Sequence, residues 1–558
     1  MPAEAARQPA VPADAVRQPA VSAEAARQPA VSGVPAEAVR QPAVPVEAVR
    51  QPAVPAEAVR QPAVPADAVR QPGVSADAAR QPAVPADAEP GIPAEAARQP
   101  AVSGVPAEVP VNGPQEPGAA SAPTPPVPAP ALAALVGVAA GGERLPPEFF
   151  TRPDPAPGAT HAANTRLRAT GCPVHAIDYP PGGDAYVVSA YDTALRAFGD
   201  PRLSKSVDNA PGWFRDLLKD SSPVLIRNMI TADAPEHTRL RRLVSRAFVP
   251  RRMALLRPRI QEITDELIDA LPPSGEIDLM EFAFTLPMRV ICEFLGVPIE
   301  DRPDLHAWGH WLSGAPFADE ESNRQLKIAS DSIEQYLIGL LDRRRAEGLG
   351  EDLVSILLRA ADEEDVFTND ELVSTLVLLI IAGHKTTANL IGNGFQALFR
   401  FPDQLALLRD RPELVESAVE EFLRFEPPVY RGTLRVATED MELDGCPIPR
   451  EGFVHILMDS ANRDPEAFEN PDRLDITRAN NRHFAFGHGA HFCVGAPLSR
   501  VEGSVAFPTL LRRLSGLELA VPHHELEWVF DNSTSRGLKR LPVRYTARRA
   551  AAPEGAGR

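Results

Sequence analysis

From residue 370 to about 398, apolar side chains recur at 372, 373, 376, 377, 380 and 381. That three-and-four spacing puts them on one helical face turned toward a core. Asn369 or Asp370 stands where an N-cap belongs, so a long buried helix is predicted there. Shorter helical patterns cover 191–198, 262–270, 280–295 and 496–511. Strand alternation is scarce: Tyr186-Val187-Val188-Ser189 reads as a short strand and 538–545 as a final one. Helical patterns thus predominate over strand patterns.

Before residue 145 this patterning is missing. Residues 1–112 instead repeat a unit of about ten residues, with Arg-Gln-Pro starting at 7, 17, 27, 40, 50, 60, 70, 80 and 98. Each unit carries one acid, one base and about two prolines, and no aromatic residue. Prolines at that density interrupt a helix, and alanine with valine buries too little to offset chain entropy. The repeat is therefore expected to be a disordered arm, either passive or docking a partner, with a solenoid as the alternative. Residues 113–144 read as a Pro/Ala/Gly linker, 145–548 as the folded domain and 549–558 as a tail.

Composition narrows the class further. The chain has 558 residues, a net charge of −18 and 44% hydrophobic residues. Residues 1–130 hold nine arginines against thirteen acids, so most of the negative charge belongs to the rest of the chain. That balance argues against nucleic acid as a partner. The four cysteines, Cys172, Cys292, Cys446 and Cys493, show no paired spacing. Neither a zinc site nor a disulfide framework is indicated, and a reducing cytoplasm is the expected compartment. Met1-Pro2-Ala3-Glu4 lacks the basic and apolar blocks of a secretory leader. The strongest apolar run, 376–382, is too short to span a bilayer, so no membrane association is expected.

The candidate chemistry centres on Phe486-Gly487-His488-Gly489-Ala490-His491-Phe492-Cys493-Val494-Gly495, just ahead of the predicted helix at 496–511. Glycines let backbone N–H groups turn toward a sulfur, and a following helix adds positive potential at its N-terminus. Taken alone, Cys493 reads either as a metal-ligating thiolate or as a small buried hydrophobe. The stretch resembles the haem-binding loop of cytochrome P450 enzymes, Phe-Gly-x-Gly-x-His/Arg-x-Cys-x-Gly, and matches every fixed position. The resemblance implies a mainly α cytochrome P450 fold with a small β region, and haem b, with Cys493 as axial thiolate on iron and His491 bonded to a propionate. A thiolate ligand favours O–O cleavage.

Other motifs follow the same resemblance. His237 and Arg241, four apart in Ala234-Pro235-Glu236-His237-Thr238-Arg239-Leu240-Arg241, share a helical face, which suits either an anion or solvent. The resemblance directs both, and Arg435, to haem propionates. Ala382-Gly383-His384-Lys385-Thr386-Thr387 is similar to the family's oxygen-activating helix, and assigns Thr386 a catalytic hydroxyl. Glu421 and Arg424, 72 residues before the cysteine, match the family's Glu-x-x-Arg ion pair. The 461–475 segment is similar to its structural meander.

Lys385 departs from the pattern, since an acid normally precedes the threonine. It reads as a structural ion-pair member, as an anchor for an anionic substrate, or as a bystander while protons come through water. With Arg431 it could grip a carboxylate; two surface charges are the alternative. Trp213 and Phe214, in the loop-rich stretch 206–230 with Met229, are either pocket residues or core packing. His306 and His310 lack metal-ligand spacing and read as packing or surface residues.

The resemblance implies a monooxygenase inserting one oxygen atom from O2 into a small organic substrate. No flavin or iron–sulfur motif is visible, so ferredoxin and a ferredoxin reductase are the expected electron donors. The Ala/Arg/Pro-rich composition is similar to that of actinobacterial antibiotic pathways, which suggests tailoring of a natural product such as a polyketide. Oxidative coupling or desaturation is one alternative. A haem-binding interaction protein acting through its repeat arm is another.

Overall fold

The structure is a computed structural model that describes residues 145–547, apart from 147–148, 150–152, 179–183, 220, 313–319, 365–366 and 532–533. The repeat arm, the linker and the tail lie outside the described residues.

In chain order the main helices are α1 (Ala159–Ala169), α2 (Tyr191–Gly199), α3 (Glu236–Ala247), α4 (Arg257–Asp269), α5 (Leu279–Leu295), α6 (Glu320–Glu347), α7 (Asn369–Arg400), α8 (Val415–Phe425) and α9 (Ala496–Arg513). The strands are β1 (Val174–Asp178), β2 (Asp184–Val188), β3 (Leu203–Ser204), β4 (Ser274–Asp278), β5 (Arg435–Ala437), β6 (Met441–Leu443), β7 (Cys446–Ile448), β8 (Phe453–Ile456), β9 (Leu514–Leu519), β10 (Trp528–Asp531), β11 (Ser535–Leu538) and β12 (Pro542–Ala547). A five-stranded sheet runs β1-β2-β8-β5-β3, parallel only between β2 and β8. The expected final strand at 538–545 is really two: Leu538 ends β11, and the chain restarts as β12, which pairs with β4 and β9. The stretch 206–230 contains two short helices, Gly212–Leu218 and Pro223–Ile226.

The long helix α7 is the axis of the fold. Its cap is Thr368 rather than Asn369 or Asp370. Thr368 Oγ1 accepts the Glu371 N–H at 3.2 Å, and Glu371 accepts the Thr368 N–H at 2.9 Å. That reciprocal box satisfies two orphan donors, which neither alternative cap would do. Leu372, Leu376, Ile380, Ile391 and Phe395 are fully buried along it. By length and hydropathy α7 could cross a membrane, but it is enclosed by other helices. Gly394 lets α9 approach: a Cβ there would stand 2.5 Å from the Phe507 ring.

One buried ion pair ties α8 to the segment before the cysteine loop. Arg424 donates to Glu421 twice at 2.8 Å, and both side chains are inaccessible to solvent. Arg424 also donates to the carbonyls of Asn462, Pro471 and Arg473. Glu421 accepts from the Asp475 N–H, Arg478 and Asn481. Every lone pair and proton therefore has a partner, the condition under which a buried pair is tolerable. Next to it, His161, Arg463 and Arg536 converge on Glu426. Burial would raise the Glu426 carboxyl, but these partners hold it well below the usual carboxylate range.

Removing one partner of the Glu421–Arg424 pair strands the other charge. Glu421→Ala or Arg424→Ala is expected to cost about 3–5 kcal/mol. Urea unfolding of the holoprotein should show a lower midpoint with an unchanged slope.

Candidate active site

Beneath α7 lies a cavity holding about 1400 Å³ of space, counting its open mouth. Its walls are mostly apolar: Phe198, Met229, Ile230, Leu378, Leu379, Val429 and Met458 among them. From α7, Ala382, Gly383, Thr386 and Thr387 face it; from the opposite side come Phe486, Gly487, His491, Phe492 and Cys493. A broad apolar slot with few polar groups is the usual form of a small-molecule site.

The cysteine loop is held by its backbone. Gly487 has φ +69° and Gly489 φ +73°, left-handed values open to glycine. At Gly489 a Cβ would also meet the Phe198 carbonyl at 3.1 Å. The Cys493 N–H donates to the Phe486 carbonyl at 2.9 Å. Cys493 is accessible only in the sense that its sulfur opens onto the cavity; the surrounding protein still desolvates it. That burial pushes the thiol above its usual value, while the N–H groups of Gly495 and Ala496, then Arg241 and Arg500, oppose the shift. These groups all favour a thiolate.

Cationic groups gather at one edge. Arg241 and Arg435 line the cavity, as does His491. The His237 and His491 rings lie 4.1 Å apart. His237 is buried, and its Nε2 has no hydrogen-bond partner in the protein. Burial lowers the Arg435 guanidinium to about 10. His491 is pushed down to about 3, by burial first and then by His237, Lys205, Arg435 and Arg241. Lys205 stands behind them, buried, bonded to Thr433 and to the Leu434 carbonyl at 3.0 Å. Its ammonium is driven well below the usual lysine value, mainly by burial and then by Arg435. Two guanidiniums, Arg241 and Arg435, beside an orphaned imidazole nitrogen at one edge suit an anion.

Thr386 sits opposite the cysteine loop, its hydroxyl donating to the Ala382 carbonyl at 2.8 Å. Gly383, expected to leave room beside the cavity, also makes room for α5, since a Cβ there would stand 3.0 Å from Ile291. Lys385 is not among the lining residues. Arg431 is not a surface charge: it is 1% exposed, bridges to Leu457 and lies outside the lining. The structure therefore does not bring Lys385 and Arg431 together on the cavity. Trp213 and Phe214 stack edge-on against Phe453 of β8, so core packing accounts for them. Their neighbour Met229 does line the cavity.

Comparison with known proteins decides the family. The pattern of the family "Cytochrome P450" matches residues 316–542. The monooxygenase PikC of Streptomyces venezuelae is 44% identical over 390 residues, 69% of this chain and 91% of the relative. The chain is a cytochrome P450. The 6-deoxyerythronolide B hydroxylase of Saccharopolyspora erythraea is 39% identical over 372 residues, covering 65% of this chain and 91% of that protein. The structure of CxnD, a P450 described as forming a C–S bond in chuangxinmycin biosynthesis, is similar with a TM-score of 0.69 and 49% identity, over 73% of this chain and 99% of that one.

This P450 is accordingly an oxidoreductase of the monooxygenase class, with haem iron as cofactor and a small-molecule substrate. The residues present fit the cofactor. The single cysteine opens onto a flat apolar slot, and the orphaned His237 Nε2 lies beside cations suited to carboxylates. Among the described residues no group of three or more His, Cys, Asp or Glu side chains could hold a metal ion. Sequence reasoning missed Lys205, Ser499 and Glu502. Lys205 follows an unremarkable Leu203-Ser204, and only tertiary packing buries it. Ser499 and Glu502 lie on the cavity side of α9, which the helical spacing from Cys493 could have revealed.

Charge-assisted hydrogen bonds are worth about 1.5–3 kcal/mol each, so Arg435→Ala or His237→Ala should speed haem loss about tenfold or more. Transfer of haem to apomyoglobin measures that rate; an unchanged rate would remove these residues from the anion edge.

Proposed function

We propose that Cys493 is the axial thiolate of a haem b whose propionates are held by His237, Arg241, Arg435 and His491, with Lys205 behind them. The observation that carries this reading is the convergence of Cys493, the cationic edge and Thr386 on one largely apolar cavity. When bound, the haem supplies the activation of O2 with two electrons. The chain supplies the rest. Phe198, Met229, Ile230 and Val429 exclude water and fit an apolar substrate. The Thr386 hydroxyl can exchange its Ala382 bond for one into the cavity, where it hands on a proton. Lys385 lies off the lining, which favours the structural one of its three readings.

The substrate proposed is an apolar natural product of the polyketide class, as the names of the polyketide biosynthesis cytochrome P450 PksS of Bacillus subtilis and of the mycinamicin IV hydroxylase/epoxidase of Micromonospora griseorubida suggest by kinship. Bond-forming oxidation is the second reading, because CxnD shares 49% identity. We place the enzyme in the cytoplasm. Its proposed architecture is a repeat arm at 1–112, a linker at 113–144 and a catalytic domain at 145–548.

Binding of a panel of macrolactones should convert the haem from low to high spin, and turnover with ferredoxin, its reductase and NADPH should add one oxygen atom. Coupled or desaturated products would support the second reading, and no shift with any macrolactone would contradict the substrate class.

Ferredoxin and its reductase are the proposed donors. Arg241 reaches the Phe492 carbonyl in the cysteine loop, and the same helix α3 carries exposed Arg242 and Arg246. An acidic ferredoxin would be steered there despite the net negative charge. Rising salt and Arg242→Glu should both lower kcat/KM for ferredoxin and leave kcat at saturation little changed. An increase with salt would contradict this docking face.

A further inference from the structure

Two of the four cysteines already have a place. Cys493 opens onto the cavity, and Cys292 is buried against Met288, sulfur to sulfur at 3.7 Å. The other two are far apart in sequence and meet beside β1. Cys172 lies in the turn between α1 and β1, and Cys446 opens β7. Cys172 Sγ donates to the Val174 carbonyl at 2.9 Å, and Cys446 Sγ reaches the same carbonyl at 3.7 Å. The two thiols are hydrogen-bonding neighbours, and both are free.

Both sulfurs are presented by defined turns. The Cys172 N–H donates to Thr170 Oγ1 at 3.1 Å, and Gly171 before it has φ +75°. Asp444 and Gly445, with φ of 51° and 79°, make the two-residue turn between β6 and β7, and Cys446 follows it, paired across the hairpin with Leu443. Cys172 is exposed and Cys446 half-buried, so a soluble oxidant meets Cys172 first. Burial, and then Cys172 beside it, push the Cys446 thiol above its usual value, which suits a sulfur that reacts second. Turning toward each other costs each thiol one weak sulfur–oxygen contact.

The hairpin that carries Cys446 also supports the site. Asp444 at its tip accepts from Thr193 and Arg196 of α2. Phe198, in the last turn of α2, lines the cavity, and its carbonyl packs so close to Gly489 that a Cβ there would stand 3.1 Å away. A covalent tie at Cys446 therefore braces the helix that backs the cysteine loop. The oxidant is at hand in a monooxygenase: when O2 takes up two electrons and two protons without oxygen transfer, hydrogen peroxide leaves the enzyme.

We propose that Cys172 and Cys446 are a peroxide-oxidised thiol pair that closes to a disulfide and braces α2 against the cysteine loop. The Cys172 thiolate attacks one peroxide oxygen; an S–O bond forms, the O–O bond breaks, and the departing oxygen takes up a proton and leaves as water. The Cys446 sulfur then attacks the Cys172 sulfenic acid; the S–S bond forms, the S–O bond breaks, and a second water leaves with the Cys446 proton. Two thiols lose two electrons and two protons, and one peroxide takes up both to become two waters. The proposal is independent of the substrate class.

The haem-loaded full chain, treated with one equivalent of hydrogen peroxide, should yield a Cys172–Cys446 cross-linked peptide on non-reducing digestion, and dithiothreitol should remove it. Free thiols at both positions, sulfinic acid without a cross-link, or a link between two molecules overturns the pair. Diamide should form the same link; a link formed by diamide and not by peroxide overturns peroxide as the oxidant. The closed form should unfold at a urea midpoint about 1 M higher than the reduced form, as a cross-link over a long loop predicts. It should also transfer haem to apomyoglobin more slowly. Cys172→Ser, at an exposed position, should keep basal activity and lose the cross-link and both of these responses, and it carries the test if Cys446→Ser fails to fold. A disulfide that forms and leaves the urea midpoint and haem transfer unchanged overturns the bracing role.

Discussion

A thiolate under an apolar cavity is unstable unless its charge is met, and the architecture around Cys493 answers that constraint. The sulfur lies at the start of α9, where unpaired backbone N–H groups give positive potential. Gly487 and Gly489 adopt left-handed backbone angles that bend the loop toward it. Arg241 adds charge from α3, and Arg500 adds it from α9 itself. Arg500 is itself fixed by Glu420 on α8, at 2.7 and 2.8 Å. Rigidity beneath the loop comes from the Glu421–Arg424 pair, which nails α8 to the carbonyls of 462, 471 and 473. Two adjacent glutamates on one helix thus serve two tasks, one holding the loop's cation and the other holding the segment that delivers the loop.

The cavity separates its electrostatics by place. Basic groups collect at the edge formed by α3, β3, β5 and the cysteine loop, where His237, Lys205, Arg435 and His491 crowd one another. Burial and the neighbouring basic groups lower the proton affinity of His237, Lys205 and His491, while Asp233 opposes the shift at His237, Lys205 and Arg435. The α7 and α9 side is apolar except for hydroxyls and the Glu502 carboxyl, which burial pushes well above the usual carboxylate range.

Much of this was legible in the sequence wherever local rules suffice. The period of α7, the glycines around Cys493 and the three-residue spacing of Glu421 and Arg424 all state their geometry directly. What escaped depends on tertiary placement. Thr368 outcompeted Asn369 and Asp370 as cap because Glu371 could reciprocate. Trp213 and Phe214 look like pocket aromatics from their loop, yet Phe453 on a distant strand claims them, while Met229 from the same stretch reaches the cavity. Arg431 has the same charge as any surface arginine, and only the β-bridge to Leu457 takes it inside. Lys205 sits in a segment without any charge pattern, so nothing short of the fold could mark it as buried, whereas Glu502 was within reach of the helical spacing from Cys493.

The central claim is that the Cys493 sulfur ligates the iron. The most direct test is the absorption spectrum of the reduced, haem-loaded protein under carbon monoxide. The account predicts the long-wavelength Soret maximum of a thiolate-ligated carbonyl complex in the wild type, and its replacement by a short-wavelength band in Cys493→Ser. A wild type that carries haem but gives only the short-wavelength band, or a Cys493→Ser protein that keeps the long one, would contradict it.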